Sequence, residues 1–249
     1  MLWREIGVGV LGNLATVVIV AVPTWLGYQL VRRSRLAFFG LPATRPRVIV
    51  YASRLYVPRF SSLDPDGRKR SFEGIATPHY EATLIASIQG FFARLGRVWR
   101  RVGLRWGDIE VQALVSPASK EGIEREATLI TIGSPGYNEV SRMAEDDFGA
   151  LVQFANENCD LATRDGTLVG DAYCFFVQRL TSRTTGQVVF YVAGPAAEGT
   201  TAATNYLLSE WWRLAWRYRG GRSFCVVLRL TSREQYVVVH RFVGSKKDG

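Results

Sequence analysis

The sequence predicts a layered α/β domain built on a mixed sheet flanked by helices and preceded by one N-terminal transmembrane helix. Three observations carry this expectation. Short β-branched and aromatic runs alternate with segments of helical period. Two of the strand-to-helix junctions are glycine-proline loops of the same design, Gly133-Ser-Pro-Gly and Gly194-Pro. Residues 6–31 form a continuous run without a charged side chain.

As a helix rising 1.5 Å per residue, that run covers about 39 Å, enough for a tilted crossing of a hydrocarbon core about 30 Å thick. It is too long for the apolar part of a signal peptide, and its basic cluster follows it instead of preceding it. Arg32, Arg33, Arg35, Arg45 and Arg47 against the single Arg4 put the C-terminal side in the cytoplasm. The expectation is a single pass through the inner (cytoplasmic) membrane, with the following domain in the cytoplasm. Asn13, Thr16 and Pro23 suit either a plain anchor or a helix contact or pore in a homo-oligomer. Residues 36–41, with Phe38 and Phe39, read as an interfacial stub, and Pro42 and Pro46 as a short linker. The organisation is thus an anchor at 1–35, a juxtamembrane linker at 36–46, an α/β domain at 47–243 and a tail at 244–249.

The net charge of +9 on 249 residues sits mostly outside the domain. Six arginines against Glu5 place +5 around the apolar run, the tail adds +1, and only +3 remains for residues 48–245. That distribution demotes nucleic acid as a partner. Cys159, Cys174 and Cys225 lack the spacing of a zinc site or a disulfide framework. The last two lie in apolar strand-like runs, where a thiol packs as a small core residue.

Residues 47–52 read as the first strand. The polar stretch 58–71, with Asp64-Pro-Asp-Gly67 and Arg68-Lys-Arg70, reads as a loop. His79-Tyr-Glu81 leads into a helix over 82–102, read from the period of Leu84, Ile85, Ile88, Phe91, Phe92, Leu95, Val98 and Trp99, whose second half is crowded with arginines, a solvated face or an anion patch. Strands follow at 109–115 and 126–132. Asn138 or Ser141 can cap a helix that ends by Phe148-Gly149. A short strand at 150–155 precedes Asp165-Gly166, a hairpin-type turn. Residues 172–180 and 187–192 read as an antiparallel pair. Thr200 and Thr201 offer capping hydroxyls to a helix ended by Gly220-Gly221, and residues 223–230 and 235–243 form a last hairpin.

The two glycine loops are the candidate site. Strand, glycine loop and helix start aim free N–H groups and a helix dipole at whatever sits above, which suits an anion. If their strands are parallel, both loops lie at the carboxyl edge of the sheet, where ligands of such folds bind. Gly133, Ser134, Gly136, Tyr137 and Asn138 would then face Gly194, Glu198, Gly199 and Thr200 across one crevice, with Tyr137 to stack on a base, Asn138 to read its edge and Arg142 to pair with a phosphate. Neither loop is a GxGxxG or a GxxxxGK[ST] sequence. For catalysis the best carboxylates are Glu81 and Glu198; no GxSxG, HExxH or Cys–His pair is present, so no catalytic residue is assigned. No metal site and no cofactor beyond a nucleotide-like ligand is expected.

The two loops together with the N-terminal anchor resemble the Rossmann-like nucleotide-sensor domains of bacterial defence and signalling proteins, in particular the CRISPR-associated Rossmann-fold domains, over about residues 47–242. The resemblance implies a nucleotide or cyclic oligonucleotide held by the loops, with Asn138, Gly199 and Thr200 facing it, and a membrane segment acting as effector. The chain lacks the lysine that many such domains carry after the second loop. The expected function is a membrane-anchored sensor that couples a small anionic ligand to self-association. Its rivals are a nucleotide or sugar-nucleotide hydrolase or transferase using Glu198 or Glu81, and a ligand-free assembly module.

Overall fold

The central strands are buried along nearly their whole length because both faces of the sheet are covered. The computed structural model describes residues 22–63, 69–100, 109–155, 160–232 and 235–244. Twelve strands and four α-helices are assigned among them. Helix α1 covers residues 22–39 of the described chain. It is followed by β1 (Arg47–Ala52), β2 (Leu55–Leu63), β3 (Lys69–Ala76), α2 (His79–Arg100), β4 (Glu110–Val115), β5 (Thr128–Ile132) and α3 (Glu139–Asp146). The chain continues through β6 (Val152–Phe154), β7 (Leu161–Thr163), β8 (Leu168–Gly170), β9 (Cys174–Thr181), β10 (Val188–Ala193), α4 (Ala197–Arg217), β11 (Phe224–Leu230) and β12 (Tyr236–Val243).

Seven strands form the main sheet in the order β12-β11-β9-β10-β5-β1-β4. The four from β10 to β4 run parallel, and β9, β11 and β12 continue the sheet antiparallel. Every residue of β5 and β10 is buried, as parallel strands covered on both faces require. On one face, α1, α2 and α4 pack through Phe39, Ile88 and Leu207 onto Val50, Ile130 and Phe190. On the other, α3 and the small β6-β7-β8 sheet cover Tyr51, Leu129, Phe176 and Tyr191. Gln178 of β9 ties that small sheet down by accepting from the N–H groups of Leu151 and Val152 (2.9 and 3.1 Å).

The stretch expected as a polar loop instead contributes β2 and β3, an antiparallel ribbon outside the main sheet. Turn-forming residues dominate the sequence signal of this stretch, while cross-strand pairing joins β2 to β3. Helix α4 begins at Ala197, before Thr200, so neither threonine caps it. Its N-cap is Ala196, without a side-chain bond. Cys174 and Cys225 are buried free thiols, as expected of core residues; Cys159 lies outside the described residues.

The clearest departure concerns residues 36–41, expected as a stub at the membrane surface. Leu36, Phe38, Phe39 and Leu41 are all buried in the core of the domain. Phe39 is completely buried against Phe38, Phe92 and Phe190, with ring centroids 4.9–5.0 Å apart. The sequence shows the same aromatic run for either role, and only the space between α2, α4 and β10 decides for the core. The chain leaves α1 through a Schellman turn: Leu41 N–H donates to the Leu36 carbonyl (2.8 Å) and Gly40 N–H to that of Ala37 (3.2 Å). Gly40 takes φ +65° there. The hydroxyl of Thr128 donates to the freed Phe39 carbonyl (2.9 Å), and Arg179 Nε to that of Phe38 (2.9 Å). Helix α1 is thus built into the domain rather than linked to it.

Among the described residues no helix is long and apolar enough to cross a membrane. Residues 6–21 of the apolar run lie outside them, as do the tail from 245, Arg68 of the basic triplet, and the side chains of the arginines crowding the end of α2.

Candidate functional site

Because β5 and β10 are parallel neighbours, the two glycine loops do emerge side by side at one edge of the sheet. Gly133 N–H donates to the Val192 carbonyl (3.1 Å), joining the start of one loop to the strand that feeds the other. The chain leaving β5 enters α3 on one face, whereas its neighbours β1 and β10 lead to α2 and α4 on the opposite face. Such a divergence of connections is where an open α/β sheet forms its crevice.

The ten expected site residues divide into two groups. Gly133, Asn138, Gly194, Gly199 and Thr200 are buried and hold the edge together. Asn138 caps α3, its Oδ1 accepting from Val140 N–H (3.0 Å) and Ser141 N–H (3.4 Å). Its Nδ2 donates to the carbonyls of Tyr51 (3.1 Å) and Ile132 (2.9 Å), stitching β1 to β5. The amide is therefore fully used within the protein. Gly194 and Gly199 meet backbone to backbone: a Cβ on Gly194 would lie 2.8 Å from the Gly199 carbonyl carbon. The Thr200 hydroxyl closes that loop by accepting from Gly194 N–H (3.2 Å). The second group forms the rim. Gly136, Tyr137, Arg142 and Glu198 are exposed and Ser134 is half-buried. Arg142 curls back to the Pro135 carbonyl (3.3 Å) and to Glu139 (3.5 Å). Tyr137, 59% exposed, stands over the end of β1, its carbonyl accepting from Arg54 N–H (2.7 Å).

Beneath the rim lies a polar knot that the sequence did not reveal. Glu81, in the first turn of α2, has no exposed surface. Its carboxylate accepts from Ser53 N–H (2.6 Å), the Ser53 hydroxyl (2.7 Å) and the Tyr80 hydroxyl (3.1 Å). Burial raises its pKa above the ordinary carboxylate value, against the opposing bonds from Ser53 and Tyr80. Gly133 makes room for it: at φ +92°, a Cβ would stand 2.7 Å from Ser53 Oγ and 3.0 Å from Glu81 Oε1. With Glu81 enclosed this way, a hydrolytic reading rests on the exposed Glu198 alone. His79 and His240 are both exposed and far apart in the chain, and no cluster of metal-ligating side chains occurs among the described residues.

A second carboxyl, half-buried, lies on the α3 face. Glu145 accepts from the Tyr191 hydroxyl (2.9 Å) and Phe154 N–H (3.4 Å). Burial lifts its pKa from 4.5 to about 7, although both bonds oppose the rise. A carboxyl raised on folding holds its proton more tightly in the native state. Its contribution to stability is therefore complete below about pH 4.5 and is lost as pH climbs to about 7. Glu81 acts with the same sign. In thermal melts across this range, Glu145→Gln should flatten the decline relative to the unaltered protein. An unchanged slope would mean that Glu145 does not titrate there.

Comparison with protein-family models, curated protein sequences and solved structures finds no match for this chain. The class that the fold and site define is a mixed α/β domain with a switch-point edge and an integral N-terminal helix.

Proposed function

We propose that the chain is a membrane-anchored sensor whose α/β domain binds a nucleotide-like anionic ligand at the rim of the carboxyl edge and passes occupancy to the anchor and to a second copy of itself. In this reading residues 6–31 span the inner membrane and the domain faces the cytoplasm. The observation that carries it is the course of α4. Its first turn, at Glu198, borders the glycine loops, and its last two turns, at Trp211–Arg217, pack beside α1, with the Phe38 and Trp211 rings 6.4 Å apart. One helix of 21 residues thus touches both the candidate ligand edge and the helix that continues from the apolar run. A ligand that displaces α4 by contact with its N-terminus would move α1 as well, and differential affinity for two such positions is what a switch requires.

Because Asn138 is spent on the fold, ligand contact falls to Ser134, Tyr137, Arg142 and Glu198. The test is made on the full chain in detergent: denaturation and mass spectrometry for released small molecules, then thermal melts against linear and cyclic nucleotides. A ligand at about 100 times its Kd should add about 2.7 kcal/mol. Tyr137→Ala should abolish that shift and leave the unliganded melt in place. Asn138→Ala should instead lower the unliganded stability by about 2 kcal/mol, from a lost cap and unpaired carbonyls. If nothing is released and no nucleotide shifts the melt, the sensor reading fails and an assembly module takes its place.

A further inference from the structure

At the end of α4 remote from the glycine loops, two neighbouring depressions differ sharply in chemistry. The first is an apolar groove of about 1020 Å³ between α1 and α4, bordered by Leu30, Val31, Phe38, Trp212 and Trp216. Trp212 and Trp216 are 54% and 68% exposed, costly for such large rings in water. Each carries a guanidinium on its face, Arg213 at 4.9 Å and Arg219 at 5.4 Å. The second is a cleft of about 310 Å³ lined by Arg217, Arg219, Arg222 and Arg241, with no carboxylate in its lining among the described residues. Tyr218 and Arg219 line both. Tyr218 is 92% buried by its 8% exposure, its ring stacks on Phe224 at 4.2 Å, and its hydroxyl has no hydrogen-bond partner in the protein.

The Tyr218 hydroxyl is an enclosed phenol without a partner, a costly arrangement that a headgroup oxygen entering between the neighbouring arginine side chains would relieve. Four arginines converging beside it call for an anion with several oxygens. The adjoining tryptophan-lined groove calls for an apolar continuation of the same ligand, and tryptophan with arginine is the pairing that suits the boundary between headgroups and acyl chains. The placement agrees: Leu30 and Val31, the last residues of the apolar run, border the same groove.

We infer that the C-terminal end of α4 is a docking site for the anionic phospholipid surface of the bilayer, with a headgroup phosphate in the arginine cleft against Tyr218 and Trp212 and Trp216 seated at the acyl boundary. This rests on the reading of residues 6–31 as a membrane segment. It adds a second attachment that fixes the orientation of the domain on the membrane.

The full chain is reconstituted into vesicles of brominated phosphatidylcholine, alone or mixed with phosphatidylglycerol, and tryptophan quenching is read. Trp212→Phe with Trp216→Phe should remove a quenched component that is present in the anionic vesicles. Trp3, Trp25, Trp99, Trp106 and Trp211 are kept in every variant, so the difference between variants reads Trp212 and Trp216 alone. Arg219→Gln with Arg241→Gln, both at exposed positions, should lower quenching in anionic vesicles to the level of neutral ones, at about fivefold in headgroup affinity per arginine. Quenching that is indifferent to both double variants overturns the docking site. Full release of the quenched component by inorganic phosphate also overturns it, assigning the cleft to a soluble anion. Alkaline carbonate extraction separates the two readings. A chain that is retained in the membrane with Trp212 and Trp216 unquenched keeps its anchor and loses the docking site. A chain that is extracted loses the anchor, whatever its tryptophans report.

Discussion

Phe39→Ala should destabilise the protein by about 3–5 kcal/mol, the range for emptying a completely buried phenylalanine site. In a domain of this size that lowers the melting temperature on the order of 10 °C. The loss should also be local in a telling way. Phe39 is the side chain through which α1 meets α2 and β10 at once, since its ring contacts Phe91 and Phe92 on one side and Phe190 on the other. Amide exchange over residues 22–39 should therefore accelerate more than exchange in the β9 and β11 core. Phe39→Leu, which refills most of the volume, should recover most of both effects. A Phe39→Ala protein that melts within about 1 °C of the parent would mean that residues 36–41 are a surface stub after all, and would remove the rigid link between the apolar run and the domain.

Gly40→Ala is expected to be nearly as damaging, for a different reason. The residue needs φ +65° to close the Schellman turn, which costs an alanine about 1 kcal/mol. In addition, its Cβ would lie 2.3 Å from Cγ2 of Val188, at the start of a strand with no room to yield. Overpacking of this kind adds about 1–3 kcal/mol. The double change Gly40→Ala with Val188→Ala tests the division. It should restore the steric part, less the small cavity left by the valine, and leave the backbone part in place. If Gly40→Ala alone is neutral in chemical denaturation, the chain does not turn out of α1 as described.

If the chain is the sensor proposed above, both variants bear on that function through the same link. A sensor whose anchor is joined by a loose tether can report only by proximity. One whose α1 is capped by Gly40, held at its C-terminus by Thr128 and Arg179, and stacked beside Trp211 can transmit a displacement. Arg35 strengthens that contact, with its guanidinium 4.1 Å from the Phe91 ring and 4.9 Å from that of Trp211, and burial lowers its pKa to about 10. Loosening α1 should therefore uncouple the two ends before it affects ligand binding at the rim.

Much of the architecture was legible because it is local. The β-branched run of β10, the alternation of strands with helical periods, the Asn138 cap and the turns at Asp165-Gly166 and Gly220-Gly221 are each set by residues within a few positions of one another. The double glycine loop was legible as well, and the parallel pairing of β5 with β10 brings its halves together as the pattern requires. What those loops do was less legible. A glycine that admits a phosphate and a glycine that admits a neighbouring backbone look the same in a sequence, and Gly194 against Gly199 is the second kind. Asn138 likewise shows its capping oxygen in the sequence but not the two strand carbonyls that claim its nitrogen.

The sequence by itself determined the α/β class of the fold, the order of its main-sheet strands and their helices, the glycine loops at strand ends and the placement of charge around the apolar run. Periodicity, turn chemistry and charge are properties of neighbouring residues, and they survive without knowledge of what packs where. Only the tertiary structure decided that residues 36–41 are core, that Glu81 is sealed under Ser53 and Tyr80, and that four arginines from α4, the turn after it and β12 converge on Tyr218. Each of these joins residues that are distant in the chain or turns on what surrounds them, and such neighbourhoods exist only once the sheet has fixed which helices share a face.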